Sequence, residues 1–313
     1  MQLPDPPASG PGRDIVDQLI AERAPKLVAS PFGRWLLRRV LCPILAYREA
    51  VALAELVRSM PGRAIFRLLE ELLEIRTRVS GLEHVPAKGP VILVGNHPTG
   101  LADGIAVAAA LRDRRDDLWF LADADALRVA PGLAQIVVPV EWVQAERSRA
   151  EARELLAAVG RLLDEGRALV IFPAGRISYP TWRGLTERPR QPAAVGLARR
   201  FSVPIVSMRL RARNSTLFHL FSQVSRELRD ITLFHELLDK RGRTFDLQLA
   251  APLDRTETAG EPLEVAVRLQ RFVERSLRDR GLLRPPPSGP SNRGGARAAA
   301  VEPPATALRP GAL

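Results

Sequence analysis

A chain of 313 residues with 46% hydrophobic content can bury a sizeable core in one large domain or two small ones, which excludes an intrinsically disordered protein. Lysine plus arginine outnumber aspartate plus glutamate by 46 to 35, so the surface field attracts anions such as phospholipid headgroups, acidic carrier proteins or nucleic acid. Aromatics are only 5% of residues and no basic stretch is aromatic-rich, which argues against nucleic acid, while the single cysteine, Cys42, excludes an intrachain disulfide and a cysteine-based metal cluster and suits a reducing compartment.

Residues 1 to 13 are rich in proline and glycine and lack the basic start, apolar run and cleavage pattern of a secretory signal, so 1–31 reads as a flexible N-terminus. From 32 to 80 the pattern is helical and membrane-proximal: Trp35, Leu36, Val40, Leu41, Ile44 and Leu45 recur at helical spacing, and Leu68, Leu69, Leu72 and Leu73 repeat it. Pro43 is expected to kink or interrupt the first helix, and Pro61-Gly62 to separate the second from the third. This segment is either an ordinary helical cap over the core or a basic amphipathic element on an anionic bilayer, with Arg34, Arg38 and Arg39 near the headgroups. Charges and Pro43 break every apolar run before it could span a bilayer, so membrane contact is expected to be peripheral.

From 81 to 283 strands and helices alternate. Val91-Ile92-Leu93-Val94 is a continuous apolar run suited to a buried strand, and Ile105 to Leu111 reads as the helix after it. Leu118 to Leu121 and Ile136 to Val140 read as short strands, 150 to 165 as a helix capped by Gly166, and Ala168 to Phe172 as another buried strand. A helix near 193 to 200, a strand near 203 to 210, an alternating strand at Phe245 to Leu249 and a helix at 262 to 281 follow. The expected fold is α/β: a mixed, mostly parallel sheet covered by helices, preceded by a helical segment, with 284–313 a disordered tail.

Chemistry concentrates where strands end. Gly95 to Gly104 follows a buried strand and precedes a helix, the position at which α/β sheets build sites. His97 there can take a proton from an attacking hydroxyl, and Asp103 can fix its tautomer and steady the imidazolium. Six positions apart on one continuous helix the two would point about 240° from each other, so a turn must intervene, and Pro98 and Gly100 supply it. A second strand ends in Phe172-Pro173-Ala174-Gly175-Arg176-Ile177-Ser178, whose arginine beside backbone amides can hold an anionic group or a developing oxyanion. His84, His219 and His235 are too scattered for a metal site, and Arg209, Arg211 and Arg213 alternate as one face of a strand. Ser178 lacks the setting of a serine hydrolase.

These blocks resemble the lysophospholipid or glycerolipid acyltransferase (PlsC-like) superfamily over roughly 81 to 252. Asn96-His97 with Asp103 looks like its first block carrying one extra residue, and Gly81-Leu82-Glu83 with Pro86, Gly89 and Pro90 resembles the lead-in. Arg147-Ser148 is similar to the second block, and Phe172, Pro173, Gly175, Arg176 and Ser178 to the third, typically Phe-Pro-Glu-Gly-Thr-Arg-Ser, with Ala174 in place of the glutamate and the arginine one place early. Val203-Pro204-Ile205-Val206 resembles the fourth, and the stretch from Arg213-Asn214-Ser215 to Lys240-Arg241-Gly242 looks like the hemolysin-like or ornithine-lipid-related branch. The resemblance implies that His97 and Asp103 are catalytic and that Asn96, Thr99, Gly100, Arg147, Pro173, Gly175 and Arg176 bind substrate. It implies transfer of a fatty acyl group from acyl carrier protein or acyl-CoA, as co-substrate and without metal or redox cofactor, to a lysolipid of the 1-acylglycerol-3-phosphate type. The alternatives are a lyso-ornithine lipid acceptor or a non-catalytic basic lipid-binding protein. The expected partners are the thioester donor, the lysolipid and an anionic membrane surface, with no nucleic acid, at the cytoplasmic face of the membrane.

Overall fold

The computed structural model describes residues 3, 5, 9–140, 148–181 and 184–277. In chain order the helices are α1 (Pro11–Arg23), α2 (Pro25–Ala29), α3 (Pro31–Leu36), α4 (Cys42–Ile44), α5 (Tyr47–Val57), α6 (Gly62–Leu73), α7 (Leu101–Leu111), α8 (Asp125–Val129), α9 (Arg149–Asp164), α10 (Ala193–Phe201), α11 (Thr216–Val224), α12 (Arg226–Ile231), α13 (Leu233–Leu238) and α14 (Pro262–Arg271). The strands are β1 (Arg76–Ser80), β2 (Val91–Gly95), β3 (Leu118–Ala122), β4 (Val137–Pro139), β5 (Ala168–Ile171), β6 (Tyr179–Thr181), β7 (Gly184–Thr186), β8 (Ile205–Arg211) and β9 (Thr244–Leu249).

Seven strands form one sheet in the order β1-β9-β8-β2-β5-β3-β4, while β6 and β7 make a separate hairpin. Every pairing in the large sheet is parallel except β8 with β9. Central β2 and β5 are buried along their whole length, because helices cover both faces. Val91 and Leu93 face one layer with Ile65, Leu69, Ile105 and Leu237, whereas Ile92 and Val94 face the other with Val159, Leu163, Val195 and Val265. Alternation on the strand thus divides one apolar run between two cores, each buried Val, Ile or Leu contributing about 1.5–3 kcal/mol of transfer free energy.

Two boundaries differ from the sequence reading. The N-terminus expected to be flexible through 31 is helical from Pro11: α1 starts with a proline, carries Asp14 in its first turn, and seats Ile15, Val16 and Leu19 on Val51 and Ala54 of α5. Its Arg23 also pairs with Asp125 of α8 at 2.5 Å. The segment expected to be helical through 80 turns to strand at Arg76, where β1 pairs in parallel with β9, so the sheet begins ahead of the expected boundary at 81. The residues of the expected tail, 284–313, lie outside the described ones.

Proline acts as expected in the helical segment. After α3 the backbone widens into a π-helical turn at Leu37–Leu41, continues as α4 through Pro43, and stops at Ala46 in the left-handed region. No helix among the described residues is long and apolar enough to cross a membrane.

Candidate active site at the ends of two parallel strands

Strands β2 and β5 are parallel neighbours, so their following loops leave the same edge of the sheet. From β2 the chain runs through Asn96 and His97, turns at Gly100 (φ 86°), and enters α7, which places Asp103 at the third helical position. An added Cβ at Gly100 would sit 2.8 Å from Ile177 Cδ1 of the β5 loop, so the turn needs glycine for its backbone and for the approach of the second loop. This turn returns the carboxylate to the histidine: His97 Nδ1 stands 2.9 Å from Asp103 Oδ2. The carboxylate lies off the line of the ring N–H.

Asp103 is fully buried, whereas the His97 side chain is 21% exposed. The carboxylate accepts from Thr99 N (2.9 Å), Gly100 N (3.0 Å) and Thr99 Oγ1 (2.5 Å). It therefore has no freedom to leave the imidazole. The His97 ring stacks on Phe172 at 4.3 Å, and its carbonyl accepts from Ser178 N (2.8 Å) and Ser178 Oγ (3.2 Å), which stitches the two loops together.

A further layer had no signal in the sequence motifs. Glu187, buried just after β7, accepts the His97 N–H through Oε1 at 3.1 Å. Its Oε2 accepts from Arg190 Nε (3.1 Å) and Nη2 (2.9 Å), and its own N–H donates to Glu274 beyond α14. Burial pushes the Glu187 carboxyl above the ordinary carboxylate range, with the Arg190 guanidinium pulling it back down. Arg190 in turn is held through its backbone by Gln270 of α14. These residues are hard to find locally, since only the tertiary fold brings the 187–190 turn and α14 under the His97 loop.

His97 opens onto an apolar cavity of about 380 Å³ that runs under the N-terminal helices. Leu19, Leu53, Ile65, Phe66, Gly104 and Phe120 are among the residues that line it, together with Gly175, Arg176 and Ile177 of the β5 loop. Of the cations on its wall, Arg23 is committed to Asp125, while exposed Arg176 makes no hydrogen bond or ion pair among the described residues. Gly175 (φ 61°) closes the turn that presents this arginine by donating to Phe172 O at 3.0 Å.

Not every residue expected to bind substrate faces this cavity. Asn96 has both amide atoms engaged with Leu210 of β8, donating at 2.8 Å and accepting at 2.7 Å. Thr99 is turned onto Asp103, and Pro173 is buried with its carbonyl accepting from Gln191 N. All three shape the loops and do not line the cavity, whereas Gly100, Gly175 and Arg176 do. Arg147 lies outside the described residues, just ahead of the Ser148 cap of α9. Arg213 falls past the end of β8, so the expected stripe with Arg209 and Arg211 is cut short. His84 sits 3.1 Å from Leu249 O, and no group of metal-ligating side chains occurs among the described residues.

Residues 76–211, from β1 through β8 and including the loops after β2 and β5, match the family model described as Acyltransferase. Two curated proteins are similar to it, both named lyso-glycine lipid O-acyltransferase. That from Phocaeicola vulgatus is 24% identical over 61% of this chain and 71% of its own length. That from Bacteroides thetaiotaomicron is 23% identical over 58% of this chain and 68% of its own. Among solved structures, the chain is similar to the 1-acyl-sn-glycerophosphate acyltransferase PlsC from Thermotoga maritima at 17% identity and a TM-score of 0.41, covering 86% of this chain and 98% of that one.

Proposed function

We propose that this protein is a lysolipid O-acyltransferase that moves a fatty acyl group from a carrier thioester to an acceptor hydroxyl at a membrane surface. The carrying observation is the 2.9 Å approach of His97 and Asp103 at the catalytic end of an apolar cavity. His97 Nε2 takes the hydroxyl proton as the oxygen attacks the thioester carbonyl, and Asp103 steadies the imidazolium. The tetrahedral intermediate collapses with departure of the thiolate, which His97 reprotonates, so no covalent acyl-enzyme forms. The cavity takes the acyl chain, and acyl carrier protein and acyl-CoA present the same thioester to these atoms.

The sequence reading put a glycerophosphate acceptor first. A lyso-aminolipid acceptor is better supported, because both curated relatives are named for lyso-glycine lipid and because Arg176 is the cavity's uncommitted cation among the described residues. One guanidinium suits the single carboxylate of an amino-acid headgroup better than a phosphate dianion. Arg147 is proposed to reinforce it. The test is transfer of radiolabelled acyl chains from acyl carrier protein and from CoA to lyso-glycine lipid, lyso-ornithine lipid and lysophosphatidic acid. Ester formation lost in folded His97→Ala is the expected result, and normal turnover of that variant overturns the mechanism. Preference for lysophosphatidic acid overturns the acceptor.

A further inference from the structure

A lipid-handling cavity needs a route from the bilayer, and the exposed apolar side chains mark one that extends beyond the N-terminal segment. Phe32, Trp35 and Ile44 project from α3 and α4, each more than half exposed, and the first two stack at 5.8 Å. Leu220 (55% exposed) and Val224 (69%) do the same on α11, from the other half of the chain. The two groups border one apolar cluster. Leu37, Leu41 and Leu45 form its buried part, and Leu217 and Phe221 of α11 pack against it. Since Leu37 and Leu45 also line the cavity, this layer has the acyl site behind it and exposed apolar groups at its margins.

The apolar stripe of α11 is thus wider than its seat: Leu217 and Phe221 lie on the cluster, and Leu220 and Val224 beside them are bare. Positions 220 and 224 lie on successive turns, and an exposed apolar edge of this kind on a firmly held helix marks an interaction surface. The helix is held firmly: Ser215 caps it by accepting from Phe218 N, while Ser215 N and Oγ donate to buried Glu236, itself paired with buried Lys240 at 3.0 Å. Charge identifies the occupant. From Arg23 to Arg48 the sequence holds Lys26, Arg34, Arg38 and Arg39 with no Asp or Glu, α11 carries no acidic residue, and Glu227 just beyond it is engaged by the backbone N–H groups of Lys26 and Leu27. Cations beside bare leucine, valine, phenylalanine and tryptophan are complementary to an anionic bilayer, whose phosphates lie over an apolar interior.

We propose that α11 is a second membrane contact, in which Leu220 and Val224 enter the headgroup–acyl boundary of an anionic bilayer alongside Phe32, Trp35 and Ile44. The inference rests on the cavity being a lipid site. It adds that the bilayer is gripped from both halves of the chain, on either side of the helical layer that walls the cavity.

The experiment measures cosedimentation of full-length protein with vesicles of phosphatidylethanolamine and phosphatidylglycerol, compared with phosphatidylcholine alone. The expected result is salt-sensitive binding to the anionic vesicles that falls about tenfold in L220Q/V224Q, while acyl transfer between detergent-dispersed substrates is unchanged. Undiminished binding of L220Q/V224Q, with F32Q/W35Q losing it, overturns the proposal by confining contact to the N-terminal segment. A wild type that is dimeric by light scattering and becomes monomeric in L220Q/V224Q overturns it by making the face a contact between copies. An inactive wild type that still binds through α11 breaks the catalytic reading and leaves this one standing, whereas an active enzyme whose variant binds fully does the reverse.

Discussion

The loops that carry His97 and Asp103 and the helical layer above the cavity solve opposite problems. In the loops from Asn96 to Asp103 and from Phe172 to Ser178, polar atoms are spent on holding one imidazole: Thr99 and Gly100 fix Asp103, Ser178 and Glu187 fix the His97 backbone, and Asn96 fixes the strand end. The layer from α2 to α4 is built from apolar contact, interrupted by a π-helical turn and ended by a left-handed alanine. Directional bonds set distances for chemistry, whereas nondirectional packing forms a surface that can adapt to a chain of methylenes. Damage to the first region should therefore appear in kcat and damage to the second in substrate selection.

The sharpest break is His97→Ala, for which kcat/KM should fall about a thousandfold while vesicle binding is retained, as read by steady-state acyl transfer and cosedimentation. Next is Asp103→Asn, which keeps an oxygen for Thr99 and Gly100 but loses the charge facing the imidazolium. A fall in kcat of about a hundredfold with little change in melting temperature is expected. Glu187→Gln tests the buried layer beneath: about a tenfold loss in kcat at unchanged KM marks a positioning role, since a merely structural one would lower the melting temperature and leave kcat alone.

In the other region, Gly104→Leu puts a side chain into the cavity where only ordinary contacts with Phe66 and Phe120 await an added Cβ. Transfer from a long-chain donor should drop several-fold relative to a short-chain one, measured by competition between the two thioesters. The smallest effect concerns the docking of α1. Burial alone would raise the Asp125 carboxyl, but hydrogen bonds from Arg23 and Arg128 outweigh it and hold the group below its ordinary value of 3.8. Its stabilisation is therefore complete above that value and is lost as pH falls through the lower, folded one. Hydrogen-exchange protection of α1 amides, relative to their intrinsic rates, should fall more than that of β2 amides as the pH is taken below the ordinary carboxylate value.

How much of this was legible in the sequence follows the same division. The apolar runs of β2 and β5 end in glycine- and proline-containing loops, and local pattern suffices there because a doubly covered strand has to be continuously apolar. The intervening turn between His97 and Asp103 followed from helix geometry alone. Helix α1 was missed although Ile15, Val16 and Leu19 carry helical spacing, because the proline and glycine content of the preceding residues dominated the reading. Asn96 was assigned to substrate because motif residues invite that role, and the partner that claims it, Leu210, lies 114 positions away. Glu187 and Arg190 had no periodicity to read, since a buried ion pair depends on what the fold packs around it.

The Asn96 amide has a consequence for anyone who would transplant the catalytic loop. Donating to and accepting from a single residue of β8, it imitates one more peptide unit and carries the ladder a rung beyond the last residue of β2. The loop is consequently grafted onto two strands at once. A host scaffold that offers a suitable β2 but lacks a neighbour with free backbone groups at the matching height would leave the histidine attached to an unanchored stem.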